Sequence, residues 1–164
     1  MACVYLSLGS NIDRYRHLTI ALDALAEEFL NVTVSTVYES EAVGFDGDNF
    51  LNFVACIETS NSVSELSLFL KKIEDQSGRN RKTPRFSART LDIDILTYDK
   101  RVGVIDGVTL PRAEITENAF VLKPLADLAP TQLHPVLGVS YLELWQQYST
   151  VQKLWPVDFT WPVS

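Results

Sequence analysis

The chain alternates between two hydrophobic periods. "CVYLSLGS" (3–10) switches between apolar and polar at every residue and stops at turn-forming residues, which predicts a first strand. "SNID" then reads as a helix start, with Ser10 as N-cap and Asp13 in the first turn. Leu18, Ala21, Leu22 and Leu25 recur at helical spacing, carrying that helix to about Leu30. "VTVSTVYES" (32–40) and "FLNFVACIET" (50–59) are predicted strands, joined by a glycine-containing connection longer than a tight hairpin needs. Ser62 or Ser64 caps a second predicted helix running to about Gln76, with Leu66, Phe69, Leu70 and Ile73 as its apolar stripe and Gly78 as its stop. A fourth strand-like run, "LDIDILTY" (91–98), and a short pair around "RVGVIDGVTL" follow. Beyond these, "NAFVLKPLADLAP" reads as a short helix broken by Pro124, "SYLELWQQY" (140–148) as a last helix, and the Trp/Pro-rich tail as packed coil.

Up to Tyr98 the order is β-α-β-β-α-β. This predicts an α+β fold with a ferredoxin-like core, an antiparallel sheet carrying helices on one face, and additional C-terminal helices. No repeat, low-complexity tract or linker interrupts the 164 residues, so one domain spanning 1–164 is expected.

Composition narrows the class. Hydrophobic residues make up 46% and charged residues 21%, the balance of a water-soluble globular chain, and no apolar run approaches the length of a membrane span. The N-terminus lacks a basic leader, so no signal peptide and a cytoplasmic location are expected. Cys3 and Cys56 both lie in apolar runs and read as buried reduced thiols rather than a disulfide or a metal pair. A net charge of −7 argues against a nucleic-acid binder. Five of the 14 cationic residues nevertheless fall within residues 79–89: Arg79, Arg81, Lys82, Arg85 and Arg89.

That basic island runs into "RTLDIDILTY" (89–98), where Asp92 and Asp94 alternate with apolar residues. On a strand both would point to one side, about 6.6–6.8 Å apart along the backbone. Burying unpaired carboxylates is costly, so the pair calls for something positive. Oxygen ligands at this spacing suit one or two hard cations such as Mg²⁺, which keeps waters and shares substrate phosphates. A D-x-D pair alone is equally consistent with a half-exposed strand that carries two acids on its solvent face. Arginines just ahead of it, suited to bidentate phosphate recognition, favour a nucleotide–magnesium site.

Several segments together resemble one family. "LSLGSN" (6–11), "FLNFVACIET" (50–59), "IEDQSGRNRK" (73–82), "RTLDIDIL" (89–96) and "LP" (110–111) fall in the order and near the spacing of the 6-hydroxymethyl-7,8-dihydropterin pyrophosphokinases, over about residues 3–130. The resemblance implies a folate-pathway enzyme that moves the β,γ-pyrophosphoryl group of ATP onto the hydroxymethyl group of a reduced pterin and releases AMP. ATP is then a co-substrate and two Mg²⁺ ions the cofactors. The implied partners are small molecules, with no nucleic acid and no membrane, in a monomer or small homo-oligomer.

Residue by residue, the resemblance makes Asp92 and Asp94 the metal ligands, and Arg79, Arg81 and Arg89 catalytic phosphate-binding arginines. It places Glu74, Lys82, Arg85, Ile95, Val108 and Thr109 in the ATP site. For the pterin it implies Ser40, Val43, Phe50, Asn52 and Phe120; an amide such as Asn52 both donates to and accepts from a heterocycle's edge. Without the resemblance, the phenylalanines read as plain core.

The chain departs from the family pattern at several positions. Arg112 and Ala113 stand where a histidine and an aromatic are usual, Asn118 replaces a basic residue, and Phe86 replaces a tryptophan. Ser40 and Glu41 replace a threonine and a proline. Arg112 is expected to take over the histidine's phosphate contact, and the chain reads as a diverged member. The alternatives are a paralogue with an altered pterin substrate and a non-catalytic nucleotide- or pterin-binding module.

Overall fold

A computed structural model describes residues 1–41, 47–78 and 91–161. β1 (Ala2–Ser10) leads into α1 (Arg14–Glu28), and β2 (Leu30–Val34), β3 (Val37–Ser40) and β4 (Phe50–Thr59) follow. Next come α2 (Val63–Gln76), β5 (Asp92–Tyr98) and a small hairpin of β6 (Gly103–Ile105) and β7 (Val108–Leu110). α3 (Glu114–Glu117), α4 (Ala119–Leu128), α5 (Tyr141–Gln147) and β8 (Leu154–Val157) complete the order. The main sheet is antiparallel in the order β5-β1-β4-β3-β8, with β2 also paired to β4. This is the expected α+β, ferredoxin-like core.

Strand alternation builds two cores. Val4, Leu6 and Leu8 of β1, with Ile93 and Ile95 of β5, face Leu18, Leu22 and Leu25 of α1 and Leu66, Leu70 and Ile73 of α2. On the opposite face Val54 and Leu96 pack against Ile115, Val121, Leu122, Leu125 and Tyr141 from the C-terminal helices. The sheet is thus covered on both faces, not on one. Consecutive buried residues in β4, Leu51 to Ala55, are what two-sided burial requires.

Local chemistry explains where the elements begin and end, and where expectation and structure differ. The predicted strand 32–40 is two strands, because Ser35 takes over the ladder with its side chain: its Oγ accepts the Val54 N–H at 2.9 Å. α2 opens with a complete capping box, Ser62 and Glu65 each satisfying the other's backbone N–H. For α1, Ser10 remains in β1 and is not the cap; Asp13 occupies that position in a left-handed conformation (φ 46°) with no side-chain capping bond. Pro124 does not break α4, which runs through it. The missing N–H and ring clash cost about 3 kcal/mol. Burial of Val121, Leu122 and Leu125, each worth about 1.5–3 kcal/mol, outweighs that cost. The tail is not coil: residues 154–157 extend the sheet beyond β3. Cys3 and Cys56 are free thiols, half-buried rather than buried, with their Sγ atoms 3.3 Å apart.

Candidate active site

β5 is an edge strand, and a cleft of about 500 Å³ wraps its open edge. Asp92 and Asp94 reach the cleft from one face of the strand, and Ile93 and Ile95 from the other. Every expected ATP or metal residue among the described ones lines it: Glu74, Asp92, Asp94, Ile95, Val108, Thr109 and Arg112. Arg79, Arg81, Lys82, Arg85 and Arg89 lie outside the described residues, as do Val43 and Phe86.

Three backbone arrangements hold this wall in place. Glu74, buried on α2, accepts the outward-pointing Ile93 N–H at 2.8 Å and so pins the strand between its two aspartates. The Arg112 N–H donates to the Leu96 carbonyl at 2.9 Å, which continues the ladder along the same edge and sets residue 112 beside Asp94. The β6–β7 hairpin turns through Asp106 and Gly107, both at positive φ, and the Asp106 carboxylate accepts the Ser64 N–H at 3.0 Å. That bond ties the hairpin carrying Val108 and Thr109 to the start of α2.

Among the described residues lining the cleft, the carboxylates Glu74, Asp92, Asp94 and Glu114 outnumber the cations Lys71 and Arg112. Arg112 pairs with Asp94 across 3.6 Å and donates through Nε to Glu114, so in this state its guanidinium is held by carboxylates. Burial raises the Asp94 pKa from 3.8 to about 7, helped by the neighbouring charges of Asp92, Glu74 and Glu114, while Arg112 pulls the other way and does not cancel them. Such a carboxyl is stabilised by any added cation. Among the described residues no group of three or more His, Cys, Asp or Glu could hold a metal by itself. The donor set, two strand carboxylates with room beside them, suits a hard cation that completes its shell with water and phosphate oxygens.

Of the described residues expected at the pterin, Phe50 and Asn52 on β4 and Ser40 on β3 lie on the same sheet face, two and three strands from β5. Ser40 pairs in register with Phe50, and the Asn52 amide donates to Ser40 Oγ at 2.9 Å within the interior. The register aligns Tyr38, Asn52, Gly9 and Asp92 in one row across β3, β4, β1 and β5. At about 4.8 Å per strand, Asn52 and Asp92 stand about 10 Å apart. Gly9 lets the Asn52 amide lie close over β1: a Cβ there would sit 2.7 Å from Asn52 Oδ1. Phe120, the second residue of α4, lies over this same face and packs against the C-terminal core.

Gly9, Lys71 and Glu114 were not expected from the sequence. A glycine inside a strand pattern signals close approach of a neighbour. Lys71 stands three residues before Glu74 on α2, hence on the same helical face. Nothing in the sequence singles out Glu114.

A sequence profile described as 7,8-dihydro-6-hydroxymethylpterin-pyrophosphokinase (HPPK) matches residues 5–130. The chain belongs to this family. It is 41% identical to the 2-amino-4-hydroxy-6-hydroxymethyldihydropteridine pyrophosphokinase of Aquifex aeolicus over 139 residues, covering 83% of this chain and 86% of that one. The Pseudomonas aeruginosa pyrophosphokinase is 39% identical over 131 residues, covering 77% of this chain and 80% of its own. These identities correct the expectation of a diverged member: for all its departures near Arg112 and Ser40, the chain is an ordinary HPPK. Other relatives are longer. This chain covers 21% of the Dictyostelium discoideum folic acid synthesis protein FOL1, at 32% identity. In structure it resembles a Plasmodium falciparum HPPK-DHPS chain with a TM-score of 0.69, over 90% of this chain and 44% of that one; at 15% identity the likeness shows the HPPK fold alone.

Proposed function

We infer that this HPPK transfers pyrophosphate from ATP to the hydroxymethyl group of 6-hydroxymethyl-7,8-dihydropterin, releasing AMP, in folate biosynthesis. The row Asn52–Gly9–Asp92 carries the reading, because it sets a group suited to a heterocycle's edge about two strands from a carboxylate pair on the same face of the sheet. That separation lets a single substrate lay its ring at one end and its hydroxymethyl at the other. The hydroxymethyl oxygen bonds to the β-phosphorus, the bond from that phosphorus to the oxygen bridging to the α-phosphorus breaks, and AMP leaves with that oxygen. The hydroxyl proton passes to solvent.

Such a transfer asks the protein mainly for alignment and charge. Ile95 and Val108 offer the adenine an apolar wall, and Thr109 offers a hydroxyl. Glu74 holds β5 so that Asp92 and Asp94 keep their common direction. Asp92 and Asp94 would hold Mg²⁺, which when bound neutralises phosphate charge and polarises the oxygens that react. In this reading Arg112 exchanges its contact with Asp94 for one with phosphate, and Arg79, Arg81, Lys82, Arg85 and Arg89 supply the remaining positive charge. Ser40, Val43, Phe50, Asn52 and Phe120 form the pterin side. No described helix is long and apolar enough to cross a membrane. A cytoplasmic location belongs to the proposal, on the ground that both substrates are small polar metabolites.

The test is product identification. With ATP, Mg²⁺ and 6-hydroxymethyl-7,8-dihydropterin, mass spectrometry should find AMP and a pterin diphosphate ester in equal amounts. ADP in place of AMP, or AMP formed at the same rate without the pterin, would refute the reading.

A further inference from the structure

The family profile ends at residue 130, yet the segment beyond it grips both sides of the pterin half-site. β8 pairs with β3 along its whole length, from Val157 opposite Val37 to Leu154 opposite Ser40. Lys153 Nζ lies 3.8 Å from the carboxylate of Glu41, one residue beyond β3. Gln152 turns the other way. Its Oε1 accepts the Ala119 N–H at 2.7 Å, and its Nε2 donates to the Glu117 carbonyl at 3.4 Å. Ala119 opens α4, whose own N-cap residue, Asn118, makes no side-chain capping bond. One of the first-turn donors that a helix leaves without an intrahelical partner is therefore met from 33 residues away. Phe120 is the next residue.

Three consecutive residues, two through their side chains and Leu154 through strand pairing, thus connect the start of α4 to the end of β3. The segment is anchored farther out, where the Phe159 ring stacks on Tyr15 (6.1 Å) and on Phe53 (6.3 Å). The Trp161 indole N–H also donates to Asp23 on α1 at 2.9 Å. Held at that end, residues 152–154 have little freedom to drift from either partner.

We propose that residues 152–154 are a positioning clasp, in which Gln152 sets the first turn of α4, and with it Phe120, relative to Ser40 and Asn52. The clasp rests on the assignment of Ser40, Asn52 and Phe120 to the pterin. Gln152 touches no substrate and acts through α4.

Full-length Gln152→Leu removes both hydrogen bonds at similar size, whereas Gln152→Glu keeps an acceptor for the Ala119 N–H. Steady-state AMP release should show the pterin KM of Gln152→Leu raised about tenfold, with kcat and the KM for ATP within about twofold of wild type. Gln152→Glu should recover most of the loss. A merely structural role would instead lower the melting temperature and the active fraction, leaving the pterin KM unmoved; that result overturns the clasp, as does a parallel rise in both KM values. If Gln152→Leu does not fold, Gln152→Asn, one methylene shorter, carries the same test. Asn52→Ala separates the two levels of inference. If it leaves the pterin KM unchanged, the half-site assignment fails and the clasp with it. If it raises that KM while Gln152→Leu is silent, only the clasp fails.

Discussion

Replacing Asp94 with asparagine should stabilise the metal-free protein while abolishing its turnover. The carboxyl is flanked by Asp92, Glu74 and Glu114, with Arg112 as its cationic partner at 3.6 Å, and its pKa rises from 3.8 to about 7. A raised carboxyl pKa means that the folded state holds the proton more tightly than the unfolded chain does. The charged form therefore costs stability: nothing below about pH 4, increasingly up to about pH 7, and a constant amount above it. At about 1.4 kcal/mol per tenfold change in proton affinity, the full cost is about 4 kcal/mol. The side chain keeps 31% of its surface in solvent, and the mutation also loses an ion pair worth at most about 1 kcal/mol, so a net gain of about 1–2 kcal/mol is expected. For a chain of this size that is about 2–8 °C. Thermal melts of wild type and Asp94→Asn in a chelator at pH 8 and pH 5 measure it. The gain should be present at pH 8 and mostly absent at pH 5, and adding Mg²⁺ with ATP should stabilise wild type more than the variant. A variant no more stable than wild type at pH 8, or an equal gain at both pH values, would refute the electrostatic account. Near-normal turnover would refute the role of Asp94.

Three further outcomes are expected. Arg112→Ala should weaken ATP binding by about 1.5–3 kcal/mol, typical of a charged hydrogen bond, and leave pterin affinity unchanged; separate calorimetric titrations decide, and wild-type ATP affinity would make Arg112 only a partner of Asp94 and Glu114. Gly9→Ala would place a methyl 2.7 Å from Asn52 Oδ1, so the amide must move at a cost of about 1–3 kcal/mol, read as a higher pterin KM with ATP unaffected; an unchanged KM would show that Asn52 yields freely. His134 Nδ1 accepts the N–H groups of Val136 and Leu137, and burial lowers its pKa. Its neutral form belongs to the fold, so stability should be full above about pH 6.5 and fall as the pH drops below it. His134→Gln should flatten that part of the stability–pH curve, and an undiminished slope would assign it to other groups.

Much of the site was legible because its residues lie on regular elements. Alternation put Asp92 and Asp94 on one side of a strand, and the family resemblance named Glu74, which lines the same cleft. Family resemblance, not periodicity, supplied Asn52 and the phenylalanines, and the register then brought Ser40, Phe50 and Asn52 together. What escaped depended on partners distant in sequence. β8 has only four residues, one a proline, and exists because β3 offers an open edge. The break after β2 needs Val54 for Ser35 to accept from. α4 survives Pro124 because of the sheet beneath it, which its own residues do not encode. Gly9 looked like the end of a strand until the register placed Asn52 beside it.

The most direct measurement of the central claim is AMP release by wild type and Asp92→Ala across a Mg²⁺ titration, with ATP and 6-hydroxymethyl-7,8-dihydropterin both saturating. If the two strand carboxylates hold the metal that serves pyrophosphoryl transfer, Asp92→Ala should be slower by about a thousandfold or more at every Mg²⁺ concentration, with an unchanged melting temperature. Turnover within about tenfold of wild type at high Mg²⁺ would contradict it.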